Sequence, residues 1–263
     1  MLKAIRHLLP AENLVYVADS AYAPYGDQTQ EYITQRTLTI GNWLKHSGVK
    51  AITLACNTAT VVAVKLLREQ MQIPVVAIEP AIKPAVSLTR SGVVAVLATK
   101  QTVQSDSVIR LCQAHGADTK IMLQACPGLV ELVEQGELNS PKIQALLLEF
   151  IEPLIKQGVD TLVMGCTHYS FLLETIASLF GTELSLIDPA PAVARELLRR
   201  LKVLEPSSPD QEQTHAPTHI QTHLFTTGDL QQALKVMPQL WGKPISVERL
   251  ELESTGTKSG ISI

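Results

Sequence analysis

The sequence predicts an α/β protein with two pseudo-symmetric lobes, each a parallel sheet flanked by helices. Short apolar, β-branched runs alternate with longer amphipathic ones, the rhythm of strands joined by crossover helices. One stretch of the first half recurs in the second, which points to two related lobes. The 263 residues, 46% hydrophobic and 18% charged, suffice for a sizeable core.

In chain order, residues 14–18 (LVYVA) read as a strand, 29–46 as a helix, 51–55 as a strand, 58–70 as a helix and 75–78 as a strand. The rhythm resumes with strands at 93–97 and 120–123, then a helix at 141–157 with Pro141 in its first turn. A strand at 161–164, a helix at 170–180, a strand at 184–187 and a helix at 192–201 follow. Residues 205–223, rich in Pro, Ser, Gln, Thr and His, read as a surface loop. A helix at 227–240, with Asp229 near its N-terminal cap, and a strand at 246–250 precede a loose tail at 254–263. The first lobe is expected over 1–80 together with 190–263, the second over 81–189.

Composition excludes several function classes. A net charge of −3 gives no reason to expect nucleic acid or a membrane surface as partner. Residues 1–10 are short and charged and lack a cleavage pattern, and no apolar run reaches spanning length. Four cysteines (Cys56, Cys112, Cys126, Cys166) make neither a disulfide framework nor a CxxC zinc pair, so reduced thiols in a cytoplasmic protein are expected. His215, His219 and His223 fall four apart, but Pro217 interrupts any helix that would align them, so no metal site is expected. No GxGxxG, GxxxxGK[ST] or HExxH motif is present, and nothing around Lys83 or Lys100 supports a pyridoxal Schiff base, so no cofactor is expected.

The repeat is the strongest signal. Gly48-Val-Lys-Ala-Ile-Thr-Leu-Ala-Cys56-Asn57-Thr58 matches Gly158-Val-Asp-Thr-Leu-Val-Met-Gly-Cys166-Thr167-His168, each Gly standing eight positions before its Cys. Glu79-Pro80-Ala81 follows Cys56 by 23 residues and Asp188-Pro189-Ala190 follows Cys166 by 22. Each lobe thus presents one Cys at the C-terminal end of a strand, where open parallel sheets bind ligands. Two buried structural cysteines are the bland alternative. Against it, each Cys is followed at once by polar residues. A Cys at such a strand end faces the N-terminus of the next helix, which favours the thiolate and is expected to lower the free-thiol pKa of about 8.5. One thiol on each side of a bound molecule suits inversion at a carbon acid, with one removing the α-proton and the other returning it from the opposite face.

At these residues the chain resembles the glutamate racemases of the aspartate/glutamate racemase superfamily. The resemblance rests on residues 16–26 (YVADSAYAPYG), 55–60 (ACNTAT), 165–169 (GCTHY), 225–229 (FTTGD) and 247–250 (VERL). It implies a pyridoxal-independent isomerase that makes D-glutamate for peptidoglycan, with Cys56 and Cys166 as the catalytic bases. By motif, Tyr25, Gly26, Asn57, Thr58, Thr167 and His168 contact the substrate, and His168 assists Cys166. A Glu within 129–136 is implied near the same thiol, Glu134 before Glu131. Cys126, in a CPG turn without a repeat counterpart, and Cys112, on an amphipathic helix, read as structural, and Asp19-Ser20 is not assigned to catalysis.

The family normally opens with an interior strand that ends in an Asp-Ser-Gly turn, whose Asp assists the first Cys. Residues 1–6 (MLKAIR) instead match the inside of its first helix. The expectations are a reading frame that starts upstream of Met1, an exposed backbone edge on two neighbouring strands, and any handicap concentrated at Cys56. The alternatives are a racemase of another amino acid such as aspartate, or a truncated, inactive binding protein. A homodimer is common among such enzymes, though the sequence displays no interface.

Overall fold

The computed structural model describes residues 1–116, 118–204 and 220–252. The chain opens with α1 (Leu2–Leu8), β1 (Leu14–Ala18), α2 (Gln30–His46), β2 (Ile52–Leu54), α3 (Asn57–Gln70) and β3 (Val75–Ala77). Next come α4 (Ile82–Leu88), β4 (Val93–Ala98), α5 (Lys100–Val103), α6 (Asp106–His115), β5 (Lys120–Ala125), α7 (Leu129–Glu134), α8 (Pro141–Ile155), β6 (Thr161–Met164), α9 (Leu173–Phe180) and β7 (Ser185–Ile187). The described chain ends with α10 (Ala190–Leu204), β8 (Thr222–Thr226), α11 (Leu230–Trp241) and β9 (Glu248–Arg249).

Hydroxyl and carboxylate side chains start the helices where the pattern places them. Thr29 accepts from the Tyr32 N–H, Ser140 from Ile143 and Asp229 from Gln232, each satisfying an orphan donor of the first turn. The helix expected from Ser170 begins instead as a 3-10 turn, Thr167–Leu172, and becomes α-helical only at Leu173. The expected last strand shortens to two residues, and the helix expected from Thr227 starts at Leu230 because the Thr227 N–H still bonds the Ala18 carbonyl.

Every strand pair is parallel. Within 81–189 the strands form one sheet, β5-β4-β6-β7, whose central β4 and β6 are buried. Leu97, Leu162 and Met164 pack beneath Leu129, Ile143, Leu147 and Ile151, while Val94, Val96 and Val163 pack on the other face against Ile82 and Val108. Buried on both faces, these strands read as continuous apolar runs.

The remaining strands fall into two sheets, β1-β8-β9 and β2-β3. Among the described residues β1 pairs only with β8 and β2 only with β3. The full lengths of β1 and β2 line one slot of about 820 Å³ that continues to Cys56 and Cys166.

The surface loop expected over 205–223 needs correction at its end. Thr222 and His223 belong to β8, where they pair with Leu14 and Val15. His223 is therefore a strand residue, while His215 and His219 lie outside the described residues, as does the tail at 254–263. Among the described residues no group of His, Cys, Asp and Glu is arranged to hold a metal. No described helix is long and apolar enough to cross a membrane.

Candidate active site

Cys56 follows β2 in extended conformation and caps α3, its sulfur accepting the Ala59 N–H at 3.4 Å. Thr60 locks the turn by donating its hydroxyl to the Cys56 carbonyl at 2.9 Å. The helix start does not lower this thiol's pKa as expected. Burial pushes it up to about 11, outweighing the Ala59 N–H and the Thr58 N–H and hydroxyl, which favour the thiolate; a charge on Cys166 raises it further. The next residue, Asn57, is 2% exposed and lines the slot, and neither its amide nitrogen nor its oxygen has a partner among the described residues. A buried amide so placed is costly unless a ligand satisfies it.

Cys166 follows β6 through Gly165, where a Cβ would stand 2.8 Å from the Leu97 carbonyl oxygen, so that only glycine lets the strand end pass this close to β4. The Cys166 sulfur lies 3.7 Å from His168 Nδ1, and His168 Nε2 lies 2.7 Å from Glu134 Oε1. Burial opposes charge on the imidazole, but the contacts with Cys166 and Glu134 outweigh it and lift the His168 pKa to about 10. Burial likewise opposes charge on Glu134, and the bond to His168 and its charge bring the net shift downward. At neutral pH the imidazolium donates one N–H to the carboxylate and turns the other toward the sulfur. Glu131 is exposed on the same helix, so α7 brings Glu134 to the site and leaves Glu131 in solvent.

The two halves meet at both cysteines. Thr167, next to Cys166, donates its hydroxyl to the carbonyl of Ala55, next to Cys56, at 3.1 Å. Tyr25 and Gly26 line the same slot as Asn57, Thr58, Thr167, His168 and Glu134. Every residue singled out from the sequence as catalytic or substrate-binding therefore reaches this cleft. Cys126 is 2% exposed and its carbonyl accepts the Tyr169 hydroxyl, while burial raises its thiol well above the usual range. Cys112 is half-buried on α6.

Sequence reasoning passed over a buried clamp behind the Tyr25 turn. Asp19 accepts two bonds from Arg36, at 3.0 and 2.7 Å, one from the Thr227 hydroxyl at 2.9 Å and one from the Tyr25 hydroxyl. Arg36 also stacks 3.7 Å from the centroid of the Tyr22 ring. With its oxygens thus taken, Asp19 holds the turn from the wall of the cleft, which it also lines. Also missed were Thr99 and Thr102, which join Thr58 in a cluster of hydroxyls. The available signals were an Asp directly after a strand and a Thr capping the helix after β4.

The family model for Asp/Glu/Hydantoin racemases matches residues 1–197. The chain is 44% identical over 248 residues to a glutamate racemase of Ectopseudomonas mendocina, covering 94% of this chain and 92% of that one. It is 43% identical over 251 residues to one of Pseudomonas aeruginosa, covering 95% and 92%. Among solved structures, Escherichia coli glutamate racemase in complex with L-glutamate and the activator UDP-MurNAc-ala superposes with a TM-score of 0.82 at 29% identity, covering 96% and 93%. The Thermus thermophilus glutamate racemase in complex with β-chloro-D-alanine gives 0.77 at 31% identity, covering 97% and 93%.

Proposed function

The chain belongs to the Asp/Glu/hydantoin racemase family, and on that premise we propose that it interconverts L- and D-glutamate by a two-thiol mechanism. The single observation that carries this reading is the placement of Cys56 and Cys166, ends of the same sequence repeat, on one slot also lined by Asn57, whose buried amide has no partner among the described residues. In one direction a thiolate on one cysteine takes the α-proton, leaving a carbanion whose charge spreads into the α-carboxylate. The thiol of the other cysteine then gives its proton to the opposite face. The product is the mirror image, the two sulfurs have exchanged protonation states, and the reverse reaction exchanges the roles. Asn57, Thr58, Thr167, Tyr25 and Gly26 orient the substrate. His168, charged through Glu134, stabilises the Cys166 thiolate. The reading carries the division into lobes over 1–80 with 190–263 and over 81–189. It also carries a cytoplasmic location, a homodimeric assembly, and D-glutamate destined for peptidoglycan.

The test is proton exchange. Incubated with L-glutamate in D₂O, the protein is expected to form α-deuterated D-glutamate, and absence of any α-deuterium rejects the reading. One observation favours a second reading, a protein that binds an amino acid without turning it over. The slot lined by β1 and β2 reaches Cys56, and among the described residues no carboxylate is hydrogen-bonded to a partner of that sulfur as Glu134 is to His168 behind Cys166. Saturable glutamate binding without exchange would support it.

A further inference from the structure

Glu134 is the last residue of α7, a helix of only six residues. Its carboxylate meets His168 at 2.7 Å although the side chain is 42% exposed. A carboxylate that open to water gains little from an ion pair unless its geometry is held. The buried face of α7 (Leu129, Val130 and Val133) packs on the four-stranded sheet with Leu97 and Met164. Its end is closed by a Schellman motif: the Glu137 N–H bonds the Leu132 carbonyl and the Gly136 N–H the Val133 carbonyl, both at 2.9 Å, with Gly136 left-handed at φ +83°. The Glu134 carbonyl has no part in that closure.

That carbonyl is taken from outside. Gln232 Nε2 of α11 donates to it at 3.2 Å. α11 belongs to the β1-β8-β9 sheet, where its Ala233 packs with Leu224 of β8 and with Val247. Two further residues of α11 reach the same turn, since a Cβ on Gly136 would stand 3.0 Å from Gln239 Oε1 and 3.4 Å from Val236 Cγ2. Positions 232, 236 and 239 are i, i+4 and i+7, one stripe along the helix. Asp229 fixes the head of the stripe by accepting the Gln232 N–H at 2.7 Å. One face of α11 is thus fitted to residues 134–136, beside the carboxylate that serves His168.

We propose that Gln232 is a positioning residue: with Val236 and Gln239 it holds the end of α7, so that Glu134 keeps its carboxylate on His168. The charged pair behind Cys166 therefore answers to the place of α11 and of the β1-β8-β9 sheet that carries it. The inference rests on reading Glu134 and His168 as the pair that serves Cys166. Its test uses no substrate, so a failure of α-proton exchange and a failure of this proposal are separate results.

The test is the ionisation midpoint of His168 in the intact protein, followed by NMR on ¹³C-labelled histidine, with the resonance assigned by its loss in His168→Asn. The ionisable groups that act on this imidazole are Cys166 and Glu134. Gln232→Met keeps the length of the side chain and removes the donor, and because Gln232 is exposed the substitution leaves the core intact. It is expected to lower the His168 midpoint by about 0.5 to 1 pH unit, a part of the roughly one to two that a hydrogen bond to a charged group is worth. Gln231→Met, one position away on the exposed side of α11, is expected to titrate like the parent. In a Glu134→Gln background no carboxylate charge is left to position, so Gln232→Met is expected to change nothing further. An unmoved midpoint in Gln232→Met overturns the proposal. So does a fall as large in Gln231→Met, or an equal further fall in the Glu134→Gln background.

Discussion

Cys56 and Cys166 end the two copies of one repeat, yet their surroundings differ in kind. Cys166 is backed by a charged pair, His168 and Glu134, on two consecutive links of 3.7 and 2.7 Å. Cys56 is backed by neutral donors, the Ala59 N–H and the N–H and hydroxyl of Thr58. The sheets beneath them differ in parallel. Cys166 rises from a continuous four-stranded sheet, and Cys56 from a two-stranded one that faces β1 across a slot. One reaction can place matching thiols on opposite faces of a carbon while building each thiol's support from different chemistry. Since substrate and product are mirror images, the symmetry that matters lies at the reacting atoms and need not extend behind them.

The most severe way to break the comparison is to remove the thiols. Cys56→Ser and Cys166→Ser are each expected to lower racemisation about 10²–10⁴-fold, measured by circular dichroism from either enantiomer. Equal losses support two obligatory bases, and full activity in either variant refutes them.

Next in size is the clamp on the Cys56 side. Asp19→Asn leaves Arg36, whose side chain is 8% exposed, without its counter-charge. The expected cost is about 3 kcal/mol of stability, read from urea unfolding, with a raised KM because the Tyr25 turn loses its anchor. An unchanged KM would detach the clamp from the substrate turn.

On the Cys166 side, Glu134→Gln keeps the shape and removes the charge, with an expected loss of about tenfold in kcat. The sign of the pH effect follows from the direction of the shift. His168 is raised to about 10, so its charged pairing is complete below the unfolded value near 6.5 and is lost as pH rises through about 10. Without the Glu134 charge the imidazole deprotonates earlier, and the alkaline limb of kcat is expected to move to lower pH. An unmoved limb separates the limb from this pair.

The smallest effects concern the position eight residues before the Thr58/His168 pair, occupied by Lys50 in one copy and Asp160 in the other. Asp160 accepts from the Thr89 and Thr161 hydroxyls and from the N–H groups of Arg90 and Ser91. These bonds outweigh burial and hold its pKa down at about 2. Its stabilisation is therefore present above pH 4 and is lost as pH falls from about 4 toward 2. Asp160→Asn is expected to cost about 1 kcal/mol at neutral pH and to flatten the fall of Tm below pH 4. Lys50 meets Glu12 at 2.9 Å with its own side chain 53% exposed, so Lys50→Ala is expected to cost about 0.5 kcal/mol or less. Equal costs would erase the contrast.

Much of this was legible in the sequence because it is local. Apolar runs flanked by capping residues located β1, β6, α2 and α8, and the repeat located both cysteines before any geometry was known. The Glu134 contact also came from the motif, though only the rotation of α7 separates it from Glu131. What escaped has a spatial or compositional cause. β8 begins at Thr222 in a polar stretch that matches the composition of the preceding loop, and its strand character comes from pairing with β1, over 200 residues earlier. The Asp19 clamp joins residues 17 and 208 positions apart, and the cluster of hydroxyls joins Thr58 to Thr99 across 41. No window of sequence contains either. The pKa of Cys56 escaped because a helix start and burial act in opposite directions, and only the depth of the pocket decides between them.

The central claim is that two thiols act from opposite faces, and the fate of deuterium in each enantiomer tests it most directly. L-glutamate is incubated in D₂O and stopped within the first few per cent of conversion, and both enantiomers are isolated for mass spectrometry. Two bases predict D-glutamate carrying solvent deuterium beside recovered L-glutamate that keeps its protium. Deuterium in both enantiomers to the same extent would mean that one base serves both faces, which contradicts the account.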